Sequence, residues 1–241
     1  MESCIINPCR VPGEPCLPAT GVLAVNPSDT GAMAALAEQH RLQRHFLFHS
    51  RLYAGPDFFL AGPAVGAPMA VLCLEKLIAL GARTVVLYGW CGSLVRELCC
   101  TDILVPTWGL AEEGTSPHYG GNERPRADEE TAAALAERLA GRGRTPARGP
   151  VWTTDAPFRE TREKVTRYGR EGIMAVDMEY TALCTVARFR AIRLAALMLV
   201  SDELWQTPWK PGYRDRTFRS LSSASLRLLV DILLSQPLES A

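Results

Sequence analysis

The sequence predicts a single α/β domain, a three-layer α/β/α arrangement with a twisted mixed central sheet. Two observations carry this. Apolar runs of strand length alternate with segments whose apolar residues recur at helical spacing, the pattern of a sheet covered on both faces. The most apolar run, LAALMLV at 194–200, shows no polar alternation, as a strand buried on both sides requires. With 241 residues the chain suits one large domain and only marginally two.

The elements follow in order. Residues 1–20 are rich in Pro and Cys, lack periodicity and read as an irregular N-terminal arm, leaving 21–241 as the domain. Gly21–Val25 is a short buried strand. Ser28 and Asp29 open a helix in the thirties, since short polar side chains there can cap free N–H groups. His45–Tyr53 reads as one strand and Phe58–Ala61 as the next. After the break GPAVGAP, a helix runs from Met69 to Leu80 and stops at Gly81. Arg83–Tyr88 is a strand that runs into a tight Gly-x-x-Gly turn, Gly89-Trp90-Cys91-Gly92. Asp102–Thr107 is a strand, Asp128–Ala140 a helix, Gly149–Thr154 a strand and Thr161–Tyr168 a helix. Ile173–Met178 leads into the helix Glu179–Phe189. Leu194–Asp202 is the last strand and Ser220–Leu234 the C-terminal helix. The loop from Gly109 to Asp128 is long for a compact domain and polar, which favours a functional role.

Composition narrows the function. The 26 basic and 26 acidic residues cancel, so the basic footprint that nucleic acid or an anionic membrane requires is absent. No apolar run approaches the ~18 residues of a membrane span. The N-terminus lacks the charged-then-apolar layout of a signal peptide, and the expected location is cytoplasmic. None of the eight cysteines forms a C-x-x-C pair, which argues for reduced structural thiols over a zinc ribbon or redox motif. His40, His45 and His49 have no carboxylate or Cys to complete a site, so no metal is expected.

Ligands of open α/β sheets bind beyond the carboxyl ends of the strands. That rule gathers Asp202, Asp177, Met178, Glu179, Thr154, Asp155, Phe158, Gly89, Trp90, Cys91, Gly92, Gly62 and Gly66. Paired carboxylates, an aromatic ring and backbone-exposing glycines suit a neutral polyhydroxylated ligand with an aromatic part, such as a nucleoside. A carboxylate accepts two hydrogen bonds side by side from a vicinal diol, and an aromatic ring stacks on any base.

The segments GPAVGAPMAVLCLEKLIALGARTVVLYGWCGSL, DILVPT, EGTSPHY, TTDAPFRET, VDMEYTAL and VSDEL resemble, in this order and spacing, the nucleoside phosphorylase superfamily. The type is that of uridine and hexameric purine nucleoside phosphorylases, and the resemblance covers about 44–234. It implies a nucleoside phosphorylase-like fold and cleavage of an N-glycosidic bond by phosphate, with no cofactor beyond phosphate as co-substrate. By this resemblance Glu179 binds the ribose hydroxyls, Met178 packs on the sugar, Phe158 stacks on the base, and Asp202 serves the departing purine. Arg214, or Arg216, assists that acid. Gly89, Gly92 and Ser93 stand where phosphate lies beside the ribose. Arg44 is lent to a neighbouring subunit, which implies a homodimer or a homohexamer.

Two stretches depart from the pattern. Leu87 and Trp90 occupy positions where the family places an arginine and a Ser or Thr. VNPSDTG, Val25–Gly31, replaces Gly-Asp-Pro and its nearby arginine, with Asp29 near the expected cation. One reading is a phosphorylase with a rebuilt phosphate site drawing on Arg44, Arg51, Thr115, Ser116 or His118. The other is a hydrolase in which water replaces phosphate and Asp29 is the base. A non-catalytic nucleoside-binding protein is a third, but binding alone needs no acid at the base. Asp202 favours a purine. Phe158-Arg159-Glu160-Thr161 supplies no clear Gln-x-Arg pair for uracil.

Overall fold

The computed structural model describes residues 4–121, 124–235 and 238. Nine strands among them form one mixed sheet: β1 (Thr20–Ala24), β2 (Gln43–Leu47), β3 (Ser50–Ala54), β4 (Phe59–Gly62), β5 (Thr84–Ser93), β6 (Ile103–Glu112), β7 (Ala147–Thr154), β8 (Ala175–Asp177) and β9 (Arg193–Glu203). The order is β2-β3-β4-β1-β5-β8-β7-β6-β9, and β9 returns to pair with β5. Five strands therefore close on themselves, while β1 to β4 extend as an open wing. β2, β3 and β4 are antiparallel neighbours; β4, β1, β5 and β9 run parallel.

Six helices cover this sheet: α1 (Thr30–Gln39), α2 (Ala67–Leu80), α3 (Glu129–Ala140), α4 (Arg162–Arg170), α5 (Tyr180–Phe189) and α6 (Arg216–Ser235). The strand period of two sorts the core. Val85 and Leu87 of β5, with Leu194, Ala196 and Met198 of β9, pack in the core that contains α2 and α5. Val86, Tyr88, Ala195, Leu197 and Leu199 point the other way, into the core shared with α1, α3 and α6. Both faces are buried, which is why these strands read as continuous apolar runs. A bidentate ion pair, Glu75 to Arg190 at 2.7 and 2.8 Å, ties α2 to α5. No helix among the described residues is long and apolar enough to cross a membrane.

Three expectations are corrected. His45–Tyr53 is two strands, because the chain reverses at Phe48, whose φ is +49°. The Gly-x-x-Gly segment is not a turn. β5 continues through Ser93, and β9 pairs with it from Thr84 to Ser93, with a bulge between Cys91 and Gly92. Gly92 is needed for close approach, since a Cβ there would sit 2.3 Å from Leu204 Cδ1. The polar loop at Gly109 begins as strand and runs extended to Glu112. Beyond it, Glu113 is buried and accepts from the N–H groups of Thr115 and Ser116 and from the hydroxyl of Thr181.

The described part of the N-terminal arm, from residue 4 to Ala19, carries no helix or strand. It lies on α2, held by Lys76 to Glu14 at 2.6 Å and by the Leu17 N–H to the Leu80 carbonyl at 2.8 Å.

Candidate active site

A cavity of about 650 Å³ opens at the carboxyl ends of β1, β5, β8 and β9. Its wall includes Asn26 and Pro27 after β1, Trp90 to Gly92 in β5, Asp177 at the end of β8 with Met178 and Glu179 after it, and Ser201 and Asp202 in β9. Phe158, Trp209 and Tyr213 form part of its lining from surface segments. Phe158 lies on a single 3₁₀ turn, Pro157–Arg159, and its ring is fully exposed. An apolar ring held free of the core suits stacking against a flat ligand.

Four carboxylates converge here: Glu160, Asp177, Glu179 and Asp202. Asp177 accepts from the Thr153 hydroxyl and from the backbone N–H groups of Glu179 and Tyr180, the latter two at 2.9 and 2.6 Å. It thereby caps the first turn of α5 and fixes where Glu179 stands. Glu179 Oε1 accepts from the Gly66 N–H at 2.6 Å. Gly66 takes φ +81°, a conformation glycine adopts without penalty. Burial, and next the charge of Asp177, push the Glu179 carboxyl well up. Burial raises Asp177 too, but its three hydrogen bonds favour the charged form, so Glu179 is the first of the pair to take a proton. Asp202 is held at both oxygens, by the Ser201 hydroxyl at 2.6 Å and by Trp209 Nε1 at 2.8 Å.

Trp90 forms the β5 side of the wall. Its indole N–H donates to Ser222 Oγ at 2.9 Å, and its ring meets Phe218 edge-on at 4.9 Å. Ser222 Oγ in turn donates to Asp29 Oδ1 at 2.8 Å, and Tyr88 donates to the Ser222 carbonyl at 2.7 Å. Asp29 is buried, and burial pushes its carboxyl up against hydrogen bonds to Ser222 and Asn26 that favour the charged form. Ser222 is the shared link. Ser222→Ala should remove one hydrogen-bond partner from the Trp90 N–H and one from Asp29. A loss of about 1–3 kcal/mol, read as a lower urea midpoint, is expected; an unchanged midpoint would remove the network's structural role.

Trp90, Gly92, Phe158, Met178, Glu179 and Asp202 all line the cavity. The other candidates stand elsewhere. Asp29 is sealed behind Ser222. Gly89 lies inside β5, and the Ser93 hydroxyl is spent on the Val95 carbonyl at 2.7 Å. Arg214 is exposed at the end of a 3₁₀ turn whose Tyr213 faces the cavity instead. Arg216 opens α6 at the surface. Arg44 and Arg51 lie on the β2–β3 hairpin at the sheet edge. Thr115 and His118 line a separate depression beside the N-terminal arm, and Ser116 is buried against Glu113 and Thr185.

A family model described as the phosphorylase superfamily matches residues 20–233. The chain belongs to the phosphorylase superfamily. Within it, a guanosine phosphorylase from Halorubrum lacusprofundi is 27% identical over 189 residues, covering 76% of this chain and 78% of that protein. A DeoD-type purine nucleoside phosphorylase from Bacillus thuringiensis is 25% identical over 165 residues, covering 67% and 70%. The crystal structure of a uridine phosphorylase from Vibrio fischeri superposes with a TM-score of 0.78 at 19% identity, covering 91% of this chain and 93% of that one. It shares the fold.

This phosphorylase-superfamily cavity also contains residues that the sequence did not single out for a role. Arg162 is the one basic side chain among its lining residues, and its guanidinium is tied to the carbonyls of Leu204 and Gln206 at 2.6 and 2.8 Å. Glu160 lines the wall, and burial, with the charge of Asp202 next, pushes its carboxyl up to about 8. Trp209 was hidden because its value lies in a hydrogen bond to Asp202.

Proposed function

We propose that this cavity cleaves the N-glycosidic bond of a purine nucleoside with phosphate, giving the free base and ribose 1-phosphate. The observation that carries the reading is one cavity holding an anchored Glu179 and an anchored Asp202 under the exposed ring of Phe158. Glu179 accepts from the ribose 2′- and 3′-hydroxyls; those donors favour its charged form. Met178 packs on the sugar. As the C1′–N9 bond breaks, the electron pair passes to the base and positive charge builds on the ribose. Asp202 hydrogen-bonds or protonates the departing purine, and the Glu179 carboxylate stabilises the cationic sugar. The relatives named for guanosine and purine nucleosides support a purine. Phosphate is a co-substrate, and no metal or organic cofactor enters these steps. In a homodimer or homohexamer, Arg44 from a second copy would supply a cation for phosphate.

One observation favours hydrolysis as a second reading. The lining residues offer four carboxylates, two indoles, and one arginine already bound to two carbonyls, a poor welcome for a phosphate dianion. Water needs no cation. Asp29, hydrogen-bonded behind Trp90, is not its base in this arrangement.

Guanosine, inosine and adenosine incubated with and without phosphate decide between them. Phosphorolysis predicts ribose 1-phosphate and at least a tenfold loss of rate in phosphate-free buffer. Free ribose at an equal rate without phosphate would overturn it in favour of water.

A further inference from the structure

Three of the four cavity carboxylates are already engaged. Asp177 takes three donors, Glu179 takes the Gly66 N–H, and Asp202 takes one donor on each oxygen. Glu160 is different. Among the described residues, no hydrogen bond or ion pair reaches its carboxylate, although it is half-buried in the cavity wall. A polar group taken partly out of water without a partner costs free energy. Both oxygens remain open as acceptors for a ligand.

Its position suits a base. Glu160 follows Phe158 by two residues and directly precedes the cap of α4, where Thr161 accepts from the Lys164 N–H. α4 is seated by Tyr168 against Trp152, ring centroids 5.0 Å apart, and by Lys164 to Glu112 at 2.7 Å. Arg162 stands in the first turn of that helix. Its two carbonyl contacts use one hydrogen on each terminal nitrogen, which leaves Nε–H and two further hydrogens unspent. The wall therefore presents a double acceptor and, two residues on, a clamped donor.

The base edge complementary to it has two adjacent donors with an acceptor beside them. Guanine offers N1–H and the 2-amino group next to O6. Hypoxanthine has N1–H but no amino group. Adenine places an acceptor at N1. Uracil flanks a single N–H with two carbonyls. We propose that Glu160 and Arg162 read the base, and that the base they select is a 2-amino-6-oxopurine, guanine. Glu160 accepts from N1–H and the amino group, Arg162 donates to O6, and Phe158 covers the ring face. Neither residue is a catalytic residue. As a statement about the nucleoside cleaved, this rests on the cleavage of the N-glycosidic bond by phosphate proposed above; as a statement about binding, it does not.

The charged group that acts on Glu160 is Asp202 of β9, and Arg162 of α4, Asp177 of β8 and Glu179 before α5 also line the wall. In the empty cavity burial and Asp202 hold the Glu160 carboxyl at about 8. Only the ionised form accepts two donors, so guanine binding expels a proton. Affinity should rise roughly tenfold or more from pH 6.5 to 8.5.

The test is a fluorescence titration of the full chain with micromolar guanine, hypoxanthine and adenine, since Trp90 and Trp209 line the cavity. The three nucleosides are run as substrates alongside. The wild type should prefer guanine at least tenfold. Glu160→Gln presents one acceptor and one donor, so it should lose that preference and the pH dependence while keeping hypoxanthine within about threefold; Glu160→Ala should weaken guanine most, hypoxanthine less and adenine not at all. Circular dichroism confirms folding of both. Unchanged base ratios in Glu160→Gln overturn the proposal, whatever the cleavage result. Glu160-dependent guanine binding with no nucleoside cleaved upholds it and overturns the proposed activity instead.

Discussion

Glu179→Ala is expected to lower kcat/KM for ribonucleosides by about 10²–10⁴-fold. The variant loses two hydrogen bonds to a charged acceptor, each worth about 1.5–3 kcal/mol, and the electrostatic help to the cationic sugar. Glu179→Gln keeps one acceptor and should fall between. The fold has reason to tolerate the change. The Glu179 carboxyl is raised by burial, so its folded-state proton affinity exceeds its unfolded one. Such a group weakens the native state as pH rises from its unfolded value through its folded one. Removing it should leave the protein at least as stable as the wild type at pH 8, a pattern common where function opposes stability. A variant with normal kcat/KM would remove Glu179 from the reaction.

Asp202→Asn should slow single-turnover cleavage of purine nucleosides by about 10²–10⁴-fold, the usual contribution of a positioned acid. The asparagine can still accept from Ser201, so the site keeps most of its shape. A riboside whose leaving group departs as a stable anion needs no proton. 4-Nitrophenyl riboside should therefore be cleaved by the variant at nearly the wild-type rate. An equal loss on both substrates would mean that Asp202 positions the substrate; unchanged rates on purines would end the acid role altogether.

Much of this site is legible in the sequence because a parallel sheet sends its strand ends to one side. Counting to the ends of the strands at 58–61, 85–88, 173–176 and 194–201 finds Gly66, Trp90, Gly92, Met178, Glu179 and Asp202 without any coordinates. What escapes depends on partners far along the chain. Gly89-Trp90-Cys91-Gly92 looks like a turn locally, yet it is strand because β9 lies beside it, about 110 residues later. Its backbone runs in the sheet, so the segment is not the tight turn that its local sequence suggests. Asp29 looks like a helix cap, yet no side-chain cap bond forms, and Ser222, 193 residues away, holds it. Glu160 was the hardest to find. Its distinction is the absence of a partner, and no local pattern records that.

The closure of five strands also decides how the cavity can be entered. Trp90, Cys91 and Gly92 are paired with β9, and β5 is also held by β1 up to Tyr88 and by β8 from Gly92, so this wall cannot swing without breaking the sheet. Entry is left to the surface segments that carry Phe158 and Trp209. Arg162 stitches them together, reaching from the first turn of α4 to the carbonyls of Leu204 and Gln206. The two rims are therefore tied to each other by a single side chain, so any opening there must first release Arg162 from both carbonyls.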